Sequence, residues 1–283
     1  MVAALGEADR LVGRSRECDW PPAVRGLPVV TAARIASDDL GSLEIDRAVR
    51  EAVADGRSLY AIDEESIDAL RPDLVLTQDL CRVCAVSSEE VGRLCAVDAE
   101  VVSLDPRTIG EIEECVLRLA DRLGVPERGE AVVAEMQAKV RRARDLVAGL
   151  RSRRAFVAEW LEPPFAAGHW VPEMVELAGG EDVLARAGTP SFPTTWEAVA
   201  DLAPELVVLA LCGFDAARAA READLPPLPC RVVAVDANAY FSRPAPRVAD
   251  GVSQLAFLFH PGVVPDPGLP WIEVPAQADP PEG

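Results

Sequence analysis

The chain has 283 residues, 49% of them hydrophobic, and a formal net charge of −19, enough for two ordinary domains or one bilobed unit with a real core. That charge argues against nucleic acid, because no basic stripe is present to release phosphate counterions, and equally against an anionic membrane surface. No apolar run approaches the ~20 residues of a spanning helix, and no window reads as low-complexity before the proline-rich end.

In chain order, residues 2–8 read as the end of a helix and "RLVGRS" as a short strand. Residues 27–30, "LPVV", are a second apolar run. Leu43, Ile45, Ala48, Val49, Ala52 and Val53 form a helical stripe closed by Gly56. A helix over 64–70 leads into a strand over 74–77. Ser87 or Ser88 caps the next helix, with Glu89 and Glu90 in its first turn. "AEVVSL" is a strand and 108–123 a helix. This βαβα order predicts a parallel sheet with helices on both faces.

A helical pattern then covers 127–150, with Val132, Val133, Met136, Val140, Ala143, Leu146 and Val147 apolar. At ~1.5 Å per residue it makes a rod about 35 Å long, more than a crossover needs. The alternation restarts with "RAFVAEWL", a helix near 171–178, "ELVVLAL", a helix after Asp215, "CRVVAVDA" and a last helix over 248–259. The predicted organisation is α/β: an N-terminal lobe over 1–124, a connecting helix over 125–151 and a C-terminal lobe over 152–260. The tail over 261–283 holds seven prolines in 23 residues and reads as an extended strap.

The two halves resemble each other. "EESIDALRPDLVLTQDLC" laid over "TWEAVADLAPELVVLALC" places Glu65, Ile67, Leu70, Pro72, Asp73, Leu74 and Val75 on Glu197, Val199, Leu202, Pro204, Glu205, Leu206 and Val207. Many α/β crossovers share such a helix, proline stop and strand. The matched glutamates favour two pseudo-symmetric lobes.

Open parallel sheets bind ligands beyond the carboxyl ends of their strands. The turns there are "SRECDW", "QDLCRVC", "EWLEPPFAAGHW", "CGF" and "ANAYFSR". They carry Trp20, Trp160, Phe165, Trp170, Phe214, Tyr240 and Phe241 in a chain only 5% aromatic. Walls of that kind suit a large, flat, amphiphilic ligand.

Seven cysteines, an odd number, do not read as a disulfide framework. Cys18, Cys81, Cys84 and Cys212 fall in the same turns as His169. Such a set can satisfy a tetrahedral zinc or an iron–sulfur cluster, which defines a rival reading: a cytoplasmic metal-thiolate sensor or redox protein. Against it, Cys81-x-x-Cys84 lacks a second pair at finger spacing, and small buried cysteines also pack tight turns. Ser87 caps its helix three residues too late for a thioredoxin-like thiol. His169 can ligate a soft metal, although a hydrogen-bonded histidine is the plainer reading. No G-x-S-x-G, P-loop or G-x-G-x-x-G occurs, and "ELAGGED" reads as a helix C-cap, so no enzyme is expected.

"GRSRECDWP", "RPDLVLTQDLCRVCAVS", "EWLEPPFAAGHWVPEMVELAGG" and "YFSRPAPR" are similar to the vitamin B12-binding proteins of ABC importers. These belong to the helical-backbone class of substrate-binding proteins, which also binds haem and iron–siderophore complexes. The resemblance covers roughly residues 1–260. It implies two α/β lobes joined by one long rigid helix, and a monomer that holds cobalamin or a related corrinoid between the lobes without an obligatory cofactor. Trp20, Trp160, Trp170 and Tyr240 would supply apolar walls, with Phe165, Phe214 and Phe241 beside them. Asp19, Glu159 and Arg243 would fix amide and phosphate edges, in turns that also hold Cys18, Asp79, Cys81 and His169. Glu65 and Glu197 would dock on the permease. Haem would instead take His169 as an axial ligand, and a cationic siderophore would use the acidic groups. Family chains open with a strand, usually after an export signal, whereas this sequence starts inside the helix ending "ALG". The resemblance implies an extracytoplasmic protein with its start upstream; read literally, the chain is cytoplasmic.

Overall fold

Two short helices begin in the same way. Asp63 accepts a hydrogen bond from the Ser66 amide at 3.0 Å, and Thr195 accepts one from the Ala198 amide at 3.2 Å. Each is a side-chain cap that satisfies an amide the helix cannot. They stand 132 positions apart, the offset at which the sequence repeats. The computed structural model describes residues 1–35, 40–55, 57–79 and 99–275. They divide into two units, Met1–Pro106 with Cys115–Gly129, and Arg107–Glu114 with Glu130–Gly283.

In the first unit, turns of 3-10 helix at Val2–Leu5 and Ala8–Arg10 replace the expected helix end. Strands β1 (Arg14–Ser15), β2 (Val29–Ala33) and β3 (Tyr60–Ile62) form one sheet, β1 parallel and β3 antiparallel to β2. Helix α1 (Ser42–Ala54) buries Ile45 and Ala52. Helix α2 (Glu64–Leu70) feeds β4 (Leu74–Thr77), which pairs in parallel with β5 (Glu100–Ser103). The helix expected after Ser87 lies outside the described residues.

Helix α3 (Ile109–Arg122) buries Ile112, Val116, Leu119 and Ala120, one stripe at helical spacing. Helix α4 (Pro126–Val147) opens on a proline, which suits a first-turn position. Val133, Met136, Ala143 and Val147 are its buried line. It stops before Gly149, whose φ of 79° a helix cannot continue. Both helices belong partly to each unit, and Arg107–Glu114 group with the second unit.

The second unit is built on β6 (Arg153–Leu161), β7 (Pro164–Ala166), β8 (Gly180–Asp182), β9 (Phe192–Pro193), β10 (Leu206–Leu209), β11 (Arg231–Val235) and β12 (Trp271–Val274). Their order is β12-β11-β10-β6-β7-β9, with β8 also on β6. β6, β8, β10 and β11 are parallel, as expected. The antiparallel β7, β9 and β12 extend that core. All four residues of β10 are buried, which explains its unbroken apolar run.

Around the sheet lie α5 (Val171–Leu177), α6 (Trp196–Asp201), α7 (Ala216–Arg221), α8 (Ala237–Tyr240) and α9 (Val248–Phe259). Helix α9 is buried along nearly its whole length. A Cβ at its Gly251 would stand 2.6 Å from the Tyr240 carbonyl oxygen, so glycine permits this close approach. The proline-rich tail is not wholly a strap. Its β12 stays on the sheet because Trp271 packs on Phe257, ring centroids 5.8 Å apart, and Glu273 pairs with Arg231 at 2.8 Å.

Candidate functional site

In the second unit the turns after β6, β10 and β11 and the turn ending the β6–β7 hairpin are knitted together. Glu159 accepts a hydrogen bond from the Gly168 amide through Oε1 at 3.1 Å, and its backbone oxygen accepts from the Cys212 amide at 3.0 Å. The Trp160 and Phe214 rings meet at 5.6 Å. Phe214 O accepts from the Asn238 amide at 3.4 Å. Trp170 Nε1 donates to Phe241 O at 2.7 Å, closing the ring of turns.

Burial sorts the aromatic residues expected there. Trp170, Phe214 and Phe241 are only 4%, 2% and 1% exposed, so they lie in the core beneath the turns. Trp160, Phe165, His169 and Tyr240 stay half-exposed. Arg218 lies over the Phe214 ring at 3.9 Å, and Arg247 over Tyr240 at 5.2 Å. Asp236 caps α8 through the Ala239 amide at 2.9 Å. Burial first, and then Asp215, push its carboxyl above the ordinary range, while Arg247 and Arg243 pull the other way. A half-buried acid that caps the Tyr240 helix and an arginine over the ring thus flank Tyr240.

His169 is held by its backbone. Its amide donates to Thr189 O at 2.6 Å, its carbonyl accepts from Gly188 N at 2.9 Å, and its φ is 55°. Gly168 before it has no room for a side chain, since a Cβ would come within 2.2 Å of Ser191 N. Burial first, then the charge of Arg107, lower the imidazole's pKa and keep it neutral near pH 7. Sequence reading missed Arg107. The signal was available, because "SLDPRT" is also a turn following a strand, β5. On the other side of this turn, Glu173 Oε2 accepts from the Ile109 amide at 2.8 Å. Burial, and then nearby Glu176, Glu113 and Glu111, raise that carboxyl against the lowering hydrogen bond.

In the first unit, Arg14 ties down the turn after β1, donating to the backbone oxygens of Ser15 and Arg16 at 3.1 Å and of Arg25 at 3.0 Å. Arg25 in turn donates to Asp19 O at 3.0 Å. The turn so fixed presents Trp20, 55% exposed, and exposed Cys18, whose Sγ accepts from Ser15 Oγ at 3.2 Å. Asp79 follows β4 and accepts from Ser103 Oγ at 2.7 Å.

Among the described residues no three His, Cys, Asp or Glu side chains are grouped to hold a metal ion. Cys18 belongs to the first unit and Cys212 to the second. Cys81 and Cys84 lie outside the described residues. Glu65 and Glu197 both occupy the second position of their helices, α2 and α6, and are exposed. Among the described residues no helix is long and apolar enough to cross a membrane.

Turns gathered at the carboxyl ends of parallel strands, with half-open aromatic and charged groups, define a ligand-binding α/β protein. The sequence profile of the periplasmic binding proteins matches residues 1–225, and the chain belongs to that family. It is 26% identical over 264 residues to the vitamin B12-binding protein of Yersinia pestis (strain Pestoides F), covering 90% of this chain and 80% of that one. The fold is similar to that of a periplasmic haem-binding protein from Pseudomonas aeruginosa, at TM-score 0.71, 22% identity and coverage of 98% and 94%. It is also similar to that of the periplasmic vitamin B12-binding protein BtuF of Vibrio cholerae, at TM-score 0.64, 21% identity and 91% of each chain.

Proposed function

We propose that this chain captures cobalamin or a related corrinoid outside the cytoplasm and delivers it to an ABC importer. The observation that carries this reading is the set of aromatic faces left open at strand ends. Trp20 is exposed in the first unit, and Trp160, Phe165 and Tyr240 are half-exposed in the second. A large apolar face kept in water is stabilised by covering it, at ~25 cal/mol per Å². A corrin ring offers a flat surface of suitable size, and its amide and phosphate edges match Asp19, Glu159 and Arg243. The similarity to a vitamin B12-binding protein of Yersinia pestis supports the same ligand. Glu65 and Glu197 would meet the importer.

Haem is the second reading within the class, favoured by the neutral imidazole of His169. Titrating the protein with cyanocobalamin, haemin and a ferric siderophore separates the candidates by tryptophan quenching. Trp20 and Trp160 respond to whichever binds. Absence of quenching by cobalamin at micromolar concentration overturns the corrinoid reading.

A further inference from the structure

Two histidines occur in the chain, and their surroundings differ. His260 is buried at the end of α9, where its Nε2 lies 3.4 Å from Gly179 O; it is a packed histidine with a polar neighbour. The His169 ring is half-exposed, lies beside Trp170 with centroids 5.9 Å apart, and has no hydrogen-bond partner among the described residues. Its backbone is the costly part. A left-handed φ of 55° disfavours any residue with a Cβ by ~1–2 kcal/mol, and glycine or asparagine is the usual occupant. Here that conformation is enforced from both sides, by Gly168 jammed against Ser191 and by Trp170 tied to Phe241. Backbone strain that the surroundings over-determine, carrying a half-exposed imidazole without a hydrogen-bond partner among the described residues, points to a use outside the fold.

We propose that His169 is an axial ligand to the metal of the bound tetrapyrrole, and specifically to the cobalt of a corrinoid whose axial position carries exchangeable water. This rests on the corrinoid reading above and adds a selectivity to it. The imidazole nitrogen lone pair forms the Co–N bond, the Co–OH2 bond breaks and water leaves. Cobalt keeps its oxidation state, and the imidazole keeps the proton on its other nitrogen. A neutral ring is the form that can do this, and burial together with Arg107 maintains it.

The test compares aquocobalamin with cyanocobalamin, whose corresponding face is blocked by cyanide. Aquocobalamin bound to the protein should show the visible absorption shift that free imidazole produces in the same corrinoid, and cyanocobalamin should not. His169→Asn suits a positive φ and removes the imidazole; His169→Gly is the second variant, and circular dichroism checks both folds. In these variants the shift should vanish, and affinity should fall tenfold or more for aquocobalamin and by less for cyanocobalamin. Binding of both corrinoids without a shift, or a shift that survives in both variants, overturns axial ligation while leaving the corrinoid reading intact. Failure of both corrinoids to bind overturns that reading itself. A His169-dependent spectral shift with haemin and not with aquocobalamin overturns the assignment to cobalt.

Discussion

Arg71 and Ala203 stand 132 positions apart and share a left-handed backbone, with φ of 45° and 47°. Each follows the short helix that opens on a side-chain cap, α2 or α6, and each precedes a proline and then a parallel strand, half-exposed in β4 and buried in β10. The Arg71 amide closes the turn on Ile67 O at 3.0 Å, and the Ala203 amide on Ala200 O at 2.9 Å. Strand β4 pairs Leu74 with Glu100, and β10 pairs Leu206 with Arg231. The repeat therefore extends from side-chain chemistry to backbone conformation and strand register.

Both residues are exposed, so glycine there removes strain without removing a packed side chain. The left-handed conformation costs ~1–2 kcal/mol, partly offset by glycine's wider unfolded ensemble. Arg71→Gly and Ala203→Gly should each stabilise the protein, by about 0.5 kcal/mol. Denaturant midpoints measure this, and a loss of stability in either variant would show that the strain is relieved by other means.

Trp170 gives a larger effect. Its indole N–H is the tie between the hairpin turn and the turn after β11. Trp170→Phe leaves the buried Phe241 carbonyl without its donor, at about 1–3 kcal/mol. It should also loosen the His169 turn and weaken ligand binding. Urea unfolding and ligand titration report the two effects separately.

Glu205 makes a pH-dependent contribution. Its carboxylate accepts from Arg151 Nη1 at 3.1 Å and from Arg153 Nη1 at 3.0 Å. The Arg151 hydrogen bond first, with smaller help from Arg154 N and Arg153, holds the acid at about 2 against burial. A carboxyl depressed by folding stabilises the folded state fully above its unfolded pKa near 4.5, and that contribution is lost as pH falls through about 2. The pair is exposed, so its worth is only ~0–1 kcal/mol. Glu205→Gln should lower stability at pH 7, and the difference from the parent should close between pH 4.5 and 2. Thermal melts across that range decide it.

These elements differ in how far the sequence showed them. Helix α2, β4 and α9 lie where periodicity and capping residues placed them, because each is set by local chemistry. β7 falls in a segment that reads as turn, because "EPPF" holds two breakers, and only pairing with β6 makes it a strand. β12 was hidden by its prolines; its place depends on Arg231 and Phe257, which are distant in sequence. The aromatic residues show the same limit. Trp160 and Trp170 look alike along the chain, yet one is half-exposed and the other is spent on the core. Nothing local distinguishes a ring that faces a ligand from one that supports the turn behind it.

The paired glutamates give the last prediction. Glu65 and Glu197 hold the same position in repeated helices, each exposed and one residue past the helix start. An acid in the first turn stabilises a helix N-terminus by ~0.3–1 kcal/mol, and that alone could account for both. Hydrogen bonds from its own amide and from Thr195 do hold the Glu197 carboxyl below its ordinary value, as a capping role requires. Docking on a permease asks for something more. Two carboxylates, one in each unit, would meet arginines on the importer and set register and association rate more than affinity. The double reversal Glu65→Lys with Glu197→Lys should lower helix stability by no more than about 1–2 kcal/mol and leave corrinoid quenching measurable, while uptake through a cognate importer falls at least tenfold. If uptake is unchanged while stability falls as stated, the glutamates serve only their own helices.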